Sequence, residues 1–143
     1  MPDYQYELFP YANLQLGVAS EDSECFDLPA DHPDAGKRVL AFYFWVFPNI
    51  MFNFYPWGLS LNVVEPRTNR KTLVRFRSYT YGEKRDLQAQ AAVLHQTEME
   101  DERVVERVHL GLKSRLYKNG RFSASMEPNV HHFQRLLSRV VGV

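Results

Sequence analysis

The run Val39-Leu40-Ala41-Phe42-Tyr43-Phe44-Trp45-Val46-Phe47, stopped by Pro48-Asn49, decides the fold. Its β-branched and aromatic side chains suit a pleated surface, and a short, uninterrupted apolar run of this kind reads as a buried strand. The residues after it repeat the theme. Ile50 to Tyr55 ends at Pro56-Trp57-Gly58, and the next run, Leu59 to Val64, alternates Leu59, Leu61 and Val63 against Ser60 and Asn62. Beyond Pro66-Arg67-Thr68-Asn69-Arg70, a fourth run from Thr72 to Tyr81 sets Val74 and Phe76 against Arg75 and Arg77, the alternation of a strand with one wet face. Proline, glycine and asparagine in the short breaks mark turns, so the four runs predict an antiparallel meander.

Downstream this punctuation stops. After Gly82 there is no proline until Pro128 and no glycine until Gly111. Leu87, Ala91 and Leu94 recur at helical spacing, as do Val104, Val108, Leu112 and Leu116, which predicts helix here with a candidate break near Thr97. Gly120 closes the region. A terminal helix then begins near Glu127-Pro128, proline being suited to the first turn, with Val130, Phe133, Leu137 and Val140 as its apolar stripe. Strands first and helices last predict an α+β fold, an antiparallel sheet with C-terminal helices packed on one face.

Upstream the character is different. Residues 1–36 hold eight acidic side chains and no Lys or Arg, and four of the eight prolines fall within the first 33 positions. This stretch reads as an acidic, irregular arm ahead of the folded part, residues 37–143. Residues 37–81 carry seven basic side chains against Glu65 alone, so the arm has basic strands to lie on, a basic partner to meet, or only solvent around it.

Over all 143 residues the 17 basic and 17 acidic side chains cancel, which argues against nucleic acid or an anionic membrane as a partner. The chain is 45% hydrophobic, with 10 Phe, 8 Tyr and 2 Trp, enough for one domain with a core. Cys25 is its single cysteine, which excludes an internal disulfide and any Cys-built zinc or iron–sulfur site within one chain, and fits a reducing cytoplasm. Met1-Pro2-Asp3-Tyr4 has no signal-peptide pattern, and the longest apolar run is about half a membrane span, so a cytoplasmic location is expected.

Chemistry-bearing residues are sparse. The five histidines, His32, His95, His109, His131 and His132, include no pair at helical ligand spacing, and adjacent His131 and His132 diverge by about 100° on a helix. Glu98, Glu100, Asp101, Glu102 and Glu106 form the densest carboxylate group, able in principle to hold a hard cation and equally expected of a solvated helix N-terminus. No Gly-rich phosphate loop, nucleophile elbow or paired-Cys motif is present. Arg67, Arg70, Lys71, Arg75 and Arg77 alternate with apolar residues as a wet strand face does.

Two stretches are more specific. One is Phe47-Pro48-Asn49-Ile50-Met51-Phe52-Asn53-Phe54-Tyr55-Pro56 continuing through Leu59 to Pro66. The other is Glu100-Asp101, then Glu106-Arg107-Val108-His109-Leu110-Gly111-Leu112-Lys113-Ser114, Gly120-Arg121-Phe122-Ser123 and Val130-His131-His132-Phe133. Together they resemble the catalytic domain of α subunits of Rieske non-haem iron ring-hydroxylating oxygenases, in the branch of choline and carnitine monooxygenase-like proteins. The resemblance covers about residues 38–140. It implies an oxidoreductase, monooxygenase or dioxygenase, of helix-grip (START/Bet v 1-like) fold. It further implies Fe(II) in a triad of two histidines and one carboxylate, the carboxylate falling on Asp101.

The departures from the family matter as much. Its two histidine ligands lie upstream of the sheet on one helix, and no histidine pair here has their spacing. Its 2Fe–2S cluster needs two Cys and two His, so a chain with one Cys cannot bind it. Three readings follow. The chain is the C-terminal half of an oxygenase catalytic domain, truncated or split, inactive alone and completed by a partner chain carrying the Rieske domain and both histidines. Or it is a metal-free module whose cavity, lined by Phe52, Phe54, Trp57 and Phe76, holds a small apolar, aromatic or quaternary-amine ligand. Or it is an assembly subunit that pairs its sheet edge with another chain or with a second copy.

Overall fold

A computed structural model describes residues 4–19, 23–81 and 87–142. Among the described residues six strands are formed: β1 (Tyr4–Phe9), β2 (Ala12–Val18), β3 (Val39–Val46), β4 (Ile50–Tyr55), β5 (Gly58–Thr68) and β6 (Lys71–Thr80). They make one sheet in the order β1-β2-β3-β4-β5-β6, with every neighbouring pair antiparallel. Two helices follow, α1 (Leu87–Gly111) and α2 (Pro128–Val141). The α+β reading therefore holds. The chain divides into two units, residues 1–81 with 122–143, and residues 82–121.

The expected meander corresponds to β3 through β6, but the sheet starts earlier. Residues 4–18, assigned from composition to an irregular arm, form the β1–β2 hairpin, and β2 pairs directly with β3. Leu14 and Leu16 alternate with Asn13 and Gln15 there, a period-2 signal that the surrounding acids and prolines obscured. Beyond β2 the described part of the arm, residues 19 and 23–36, is irregular, and residues 1–3 and 20–22 lie outside the described residues.

Direct cross-strand partners share a sheet face, so register sorts the side chains. One face carries the rows Leu8–Asn13–Trp45–Met51–Asn62–Phe76 and Tyr6–Gln15–Tyr43–Asn53–Ser60–Ser78. The other carries Gln5–Leu16–Phe42–Phe54–Leu59–Tyr79 and Glu7–Leu14–Phe44–Phe52–Leu61–Arg77. Leu59, Leu61 and Val63 thus alternate with Ser60 and Asn62 as expected, yet Ser60 is 0% exposed. Its hydroxyl is satisfied by Asn62 Oδ1 at 3.0 Å, which lets a polar residue sit inside.

α2 lies against the first of these faces. Phe133 meets the Trp45 ring edge-on at 4.9 Å, and His132 Nε2 donates to the Phe9 carbonyl oxygen at 2.8 Å. Pro128 occupies the first turn, and Gly142 at φ 74° ends the helix with its N–H on Ser138 O. The face it buries differs from the stripe read from sequence. Leu136 is 4% exposed, whereas Leu137 is 37% and Val130 and Val140 more so. The inward series is Asn129, His132, Phe133 and Leu136, half of it polar, which is why a count of apolar residues alone chose the wrong side. Leu136→Ala is expected to cost about 2 kcal/mol or more in a denaturant melt and Leu137→Ala less than about 1 kcal/mol.

The opposite face is covered over β2 and β3 by the irregular segment. Phe26 packs on Phe42 at 5.3 Å, His32 on the same ring at 5.9 Å, and Lys37 Nζ reaches Gln5 Oε1 at 2.7 Å. Toward β6 the aromatics emerge, with Phe54 at 39% and Tyr79 at 50% exposure. In the second unit, α1 runs unbroken through Thr97 and ends at Gly111, so Leu112 and Leu116 fall beyond it. The side chains of Leu87 and Ala91 lie outside the described residues.

Candidate functional site

The acidic residues of α1, Glu98 to Glu106, lie from its middle onward. Its first turn contains no acid, so attraction to the helix N-terminus does not account for them. Gln96 Nε2 donates to Glu100 Oε1 at 3.0 Å, an ordinary pair one turn apart. Asp101 lies seven residues after Leu94 and seven before Val108, within about 20° of both around the helix axis; Val105 continues the same stripe, and Glu98, seven residues before Val105, shares it. A carboxylate thus sits where the spacing calls for an apolar side chain. Asp101 is exposed, as are Val105 and Val108.

The donor set around it does not fit a mononuclear iron ion. Among the described residues no group of three or more His, Cys, Asp and Glu side chains could hold a metal ion. The histidines serve elsewhere: His32 Nδ1 accepts the Asp34 N–H at 3.0 Å, His131 packs on Phe122 at 5.1 Å, and His132 holds the Phe9 carbonyl. His95 and His109 are exposed on α1.

The aromatics proposed as one pocket lining divide between the two sheet faces. Phe52 and Phe54 stack at 6.3 Å on the face away from α2, while Phe76 pairs with Asn62 on the α2 face. Trp57, in the β4–β5 turn, stacks on Tyr55 at 5.0 Å, and Tyr55 meets Tyr43 edge-on at 5.9 Å. Tyr43, Tyr55 and Trp57 therefore form one aromatic group on the α2 face, adjoining Asn53 and Ser60. Tyr43 passes close over Gly17, where a Cβ would come within 3.3 Å of its ring. Sequence reasoning missed Tyr43 because the continuous apolar run of β3 has no period from which to read a face.

The basic strand residues have a local role. Arg75 Nε donates to Glu65 Oε1 at 2.8 Å, and Arg67 pairs with Glu65 Oε2. The Arg75 hydrogen bond, aided by the charges of Arg67, Arg75 and Arg77, holds the Glu65 carboxyl below its ordinary pKa against the opposing effect of desolvation. Arg67 and Arg75 thus share one carboxylate on the β5–β6 hairpin.

Residues 12–142 match the sequence model of one family, described as "Ring hydroxylating alpha subunit (catalytic domain)". The chain belongs to this ring-hydroxylating α subunit family. The match takes in β2, upstream of the residue-38 boundary expected from motifs. The chain is 36% identical over 102 residues to choline monooxygenase, chloroplastic, of Arabidopsis thaliana, an alignment covering 68% of this chain and 24% of that protein. It is 29% identical over 119 residues to putrescine 2-hydroxylase of Bordetella bronchiseptica, covering 77% and 27%. Choline monooxygenase of Atriplex hortensis is 29% identical over 106 residues, covering 71% and 24%. The chain spans about a quarter of the length of these relatives. No solved structure matches. Ring-hydroxylating α subunits of the Rieske type work with a non-haem iron and a 2Fe–2S cluster, and the single Cys25 here does not suffice for the cluster. Among the described residues, no helix is long and apolar enough to cross a membrane.

Proposed function

We propose that this chain is the C-terminal half of the mononuclear-iron catalytic domain of a Rieske-type oxygenase, that it contributes Asp101 as the carboxylate ligand, and that it is inactive by itself. The Rieske domain and both histidines come from outside these residues, and the completed domain has the helix-grip form. The observation that carries this reading is the carboxylate on the apolar stripe of α1. An aspartate costs helix propensity and interrupts the stripe, and a ligand role toward a site completed from outside gives it a purpose. Exposed Val105 and Val108 beside it, and the open aromatic end of the sheet near Phe54 and Tyr79, are surfaces of the kind that a missing half would cover.

A cationic amine as the substrate class is supported by the names of two relatives, which specify choline and putrescine. Both are cationic amines, and Tyr43, Tyr55 and Trp57 offer the π faces that such cations favour. That aromatic group also favours a second reading, a metal-free module binding a quaternary or primary amine.

The test is a segment exchange. The part of Arabidopsis choline monooxygenase that aligns with this chain is replaced by the matching residues, and iron per protomer and choline-dependent oxygen uptake are measured. The proposal predicts an iron-loaded chimera with activity within about a hundredfold of the parent, a range in which altered surroundings of metal ligands usually fall. A folded chimera without iron contradicts the oxygenase reading and leaves the binding-module reading standing.

A further inference from the structure

A groove of about 370 Å³ runs between the start of α2 and the segment before it. This volume is within the range of small-molecule sites. Its apolar wall is made by Leu8 of β1, Phe122 and Pro128, and its polar wall by His131, His132 and Arg135 on one side of α2. We infer that this groove is a binding site for a small organic acid, its carboxylate on Arg135 and its apolar body between Leu8, Phe122 and Pro128.

Three observations carry the assignment. The Arg135 guanidinium forms no ion pair or side-chain hydrogen bond with any described residue, although ion pairs are formed elsewhere in the chain. Its planar fork of donors matches a carboxylate in two parallel hydrogen bonds. The one acid in the lining, Glu127, is already engaged, since its Oε2 accepts the Ser123 N–H at 2.7 Å. That bond, together with the Met126 N–H on Ser123 Oγ at 3.2 Å, closes the 123–127 turn and fixes one wall. Both imidazoles are oriented as well, His132 by the Phe9 carbonyl and His131 by the Phe122 ring at 5.1 Å. The groove is thus a prearranged, apolar-walled slot with one uncommitted cation. It is formed entirely within residues 1–81 and 122–143, in a different unit from Asp101, and the inference does not depend on the oxygenase reading.

The experiment titrates the full chain with benzoate and, separately, with benzamide, a neutral molecule of nearly the same shape, following the His131, His132 and Phe122 ring signals by NMR. Benzoate is expected to give saturable shifts confined to this groove, with benzamide binding at least about tenfold more weakly. Arg135→Gln, on the exposed side of a helix and checked for folding by circular dichroism, is expected to lose benzoate affinity by a similar factor. Arg135→Lys, which keeps the charge but not the fork, is expected to fall between the two. Equal titration by benzoate and benzamide overturns the inference, as does unchanged benzoate affinity in Arg135→Gln. So does the absence of saturable shifts at these rings.

Discussion

Asp101→Ala, made in the choline monooxygenase chimera, is expected to remove bound iron and at least about 100-fold of the choline-dependent oxygen uptake while leaving folding almost untouched. The two halves of that result have separate causes. Loss of a ligand is more damaging than loss of the groups that merely orient one, which already costs 10- to 100-fold. Asp101 is exposed on α1 with no ion pair or hydrogen bond to a described residue, so its truncation removes no contact that holds the helix, and alanine is the better helix former. A surface change of this kind shifts stability by no more than about 0.5 kcal/mol. Iron content is read by metal analysis on the chimera, and stability by a denaturant melt of the isolated chain, where no bound iron contributes. A variant that keeps its iron, or one that loses several kcal/mol of stability, means that Asp101 is a structural residue and not a ligand.

Gly58→Ala carries the largest effect expected within the sheet. Gly58 opens β5 directly after the Pro56-Trp57 turn and pairs with Thr80 of β6. A Cβ built there overlaps the Tyr79 carbonyl oxygen and comes within 3.0 Å of Thr80 Cα. These are backbone atoms of a hydrogen-bonded neighbour, so no side-chain rotation relieves the clash and the β5–β6 ladder must part at that end. The expected loss is about 3 kcal/mol, read as a lower denaturant midpoint, with weaker hydrogen-exchange protection at Tyr79 to Tyr81. Gly17→Ala is the internal comparison. Its Cβ meets the end of the Tyr43 ring at 3.3 Å, a contact that a small ring shift accommodates.

The contrast between these two glycines shows what a sequence makes legible. Gly58 was readable as a turn marker beside Pro56, but the approach of Tyr79 depends on register between β5 and β6, which local spacing does not encode. The meander from Val39 to Thr80 was legible because its turns are written in proline, glycine and asparagine and its strands in alternation. The β1–β2 hairpin was not, since Leu14 and Leu16 provide only a short alternation inside an acid-rich stretch. For α2, its start at Pro128 was plain while its buried side was not, because His132 and Asn129 take inward positions normally held by apolar residues. The candidate site divides in the same way. Asp101 could be found from a motif, and its place on the stripe of Leu94, Val105 and Val108 follows from helical geometry once α1 is continuous. Arg135 and the groove could not be found, since Leu8 and Phe122 join it from residues far apart in the chain.

The central claim is that the chain holds one ligand of an iron site and that the rest lie outside it. The most direct measurement is an anaerobic calorimetric titration of the isolated chain with Fe(II), with Asp101→Ala alongside. The account predicts no stoichiometric binding at micromolar affinity in either protein, a single exposed carboxylate being too weak a ligand set for Fe(II). Stoichiometric binding at micromolar affinity or better, abolished by Asp101→Ala, would contradict it, because the chain would then be completing an iron site from its own residues.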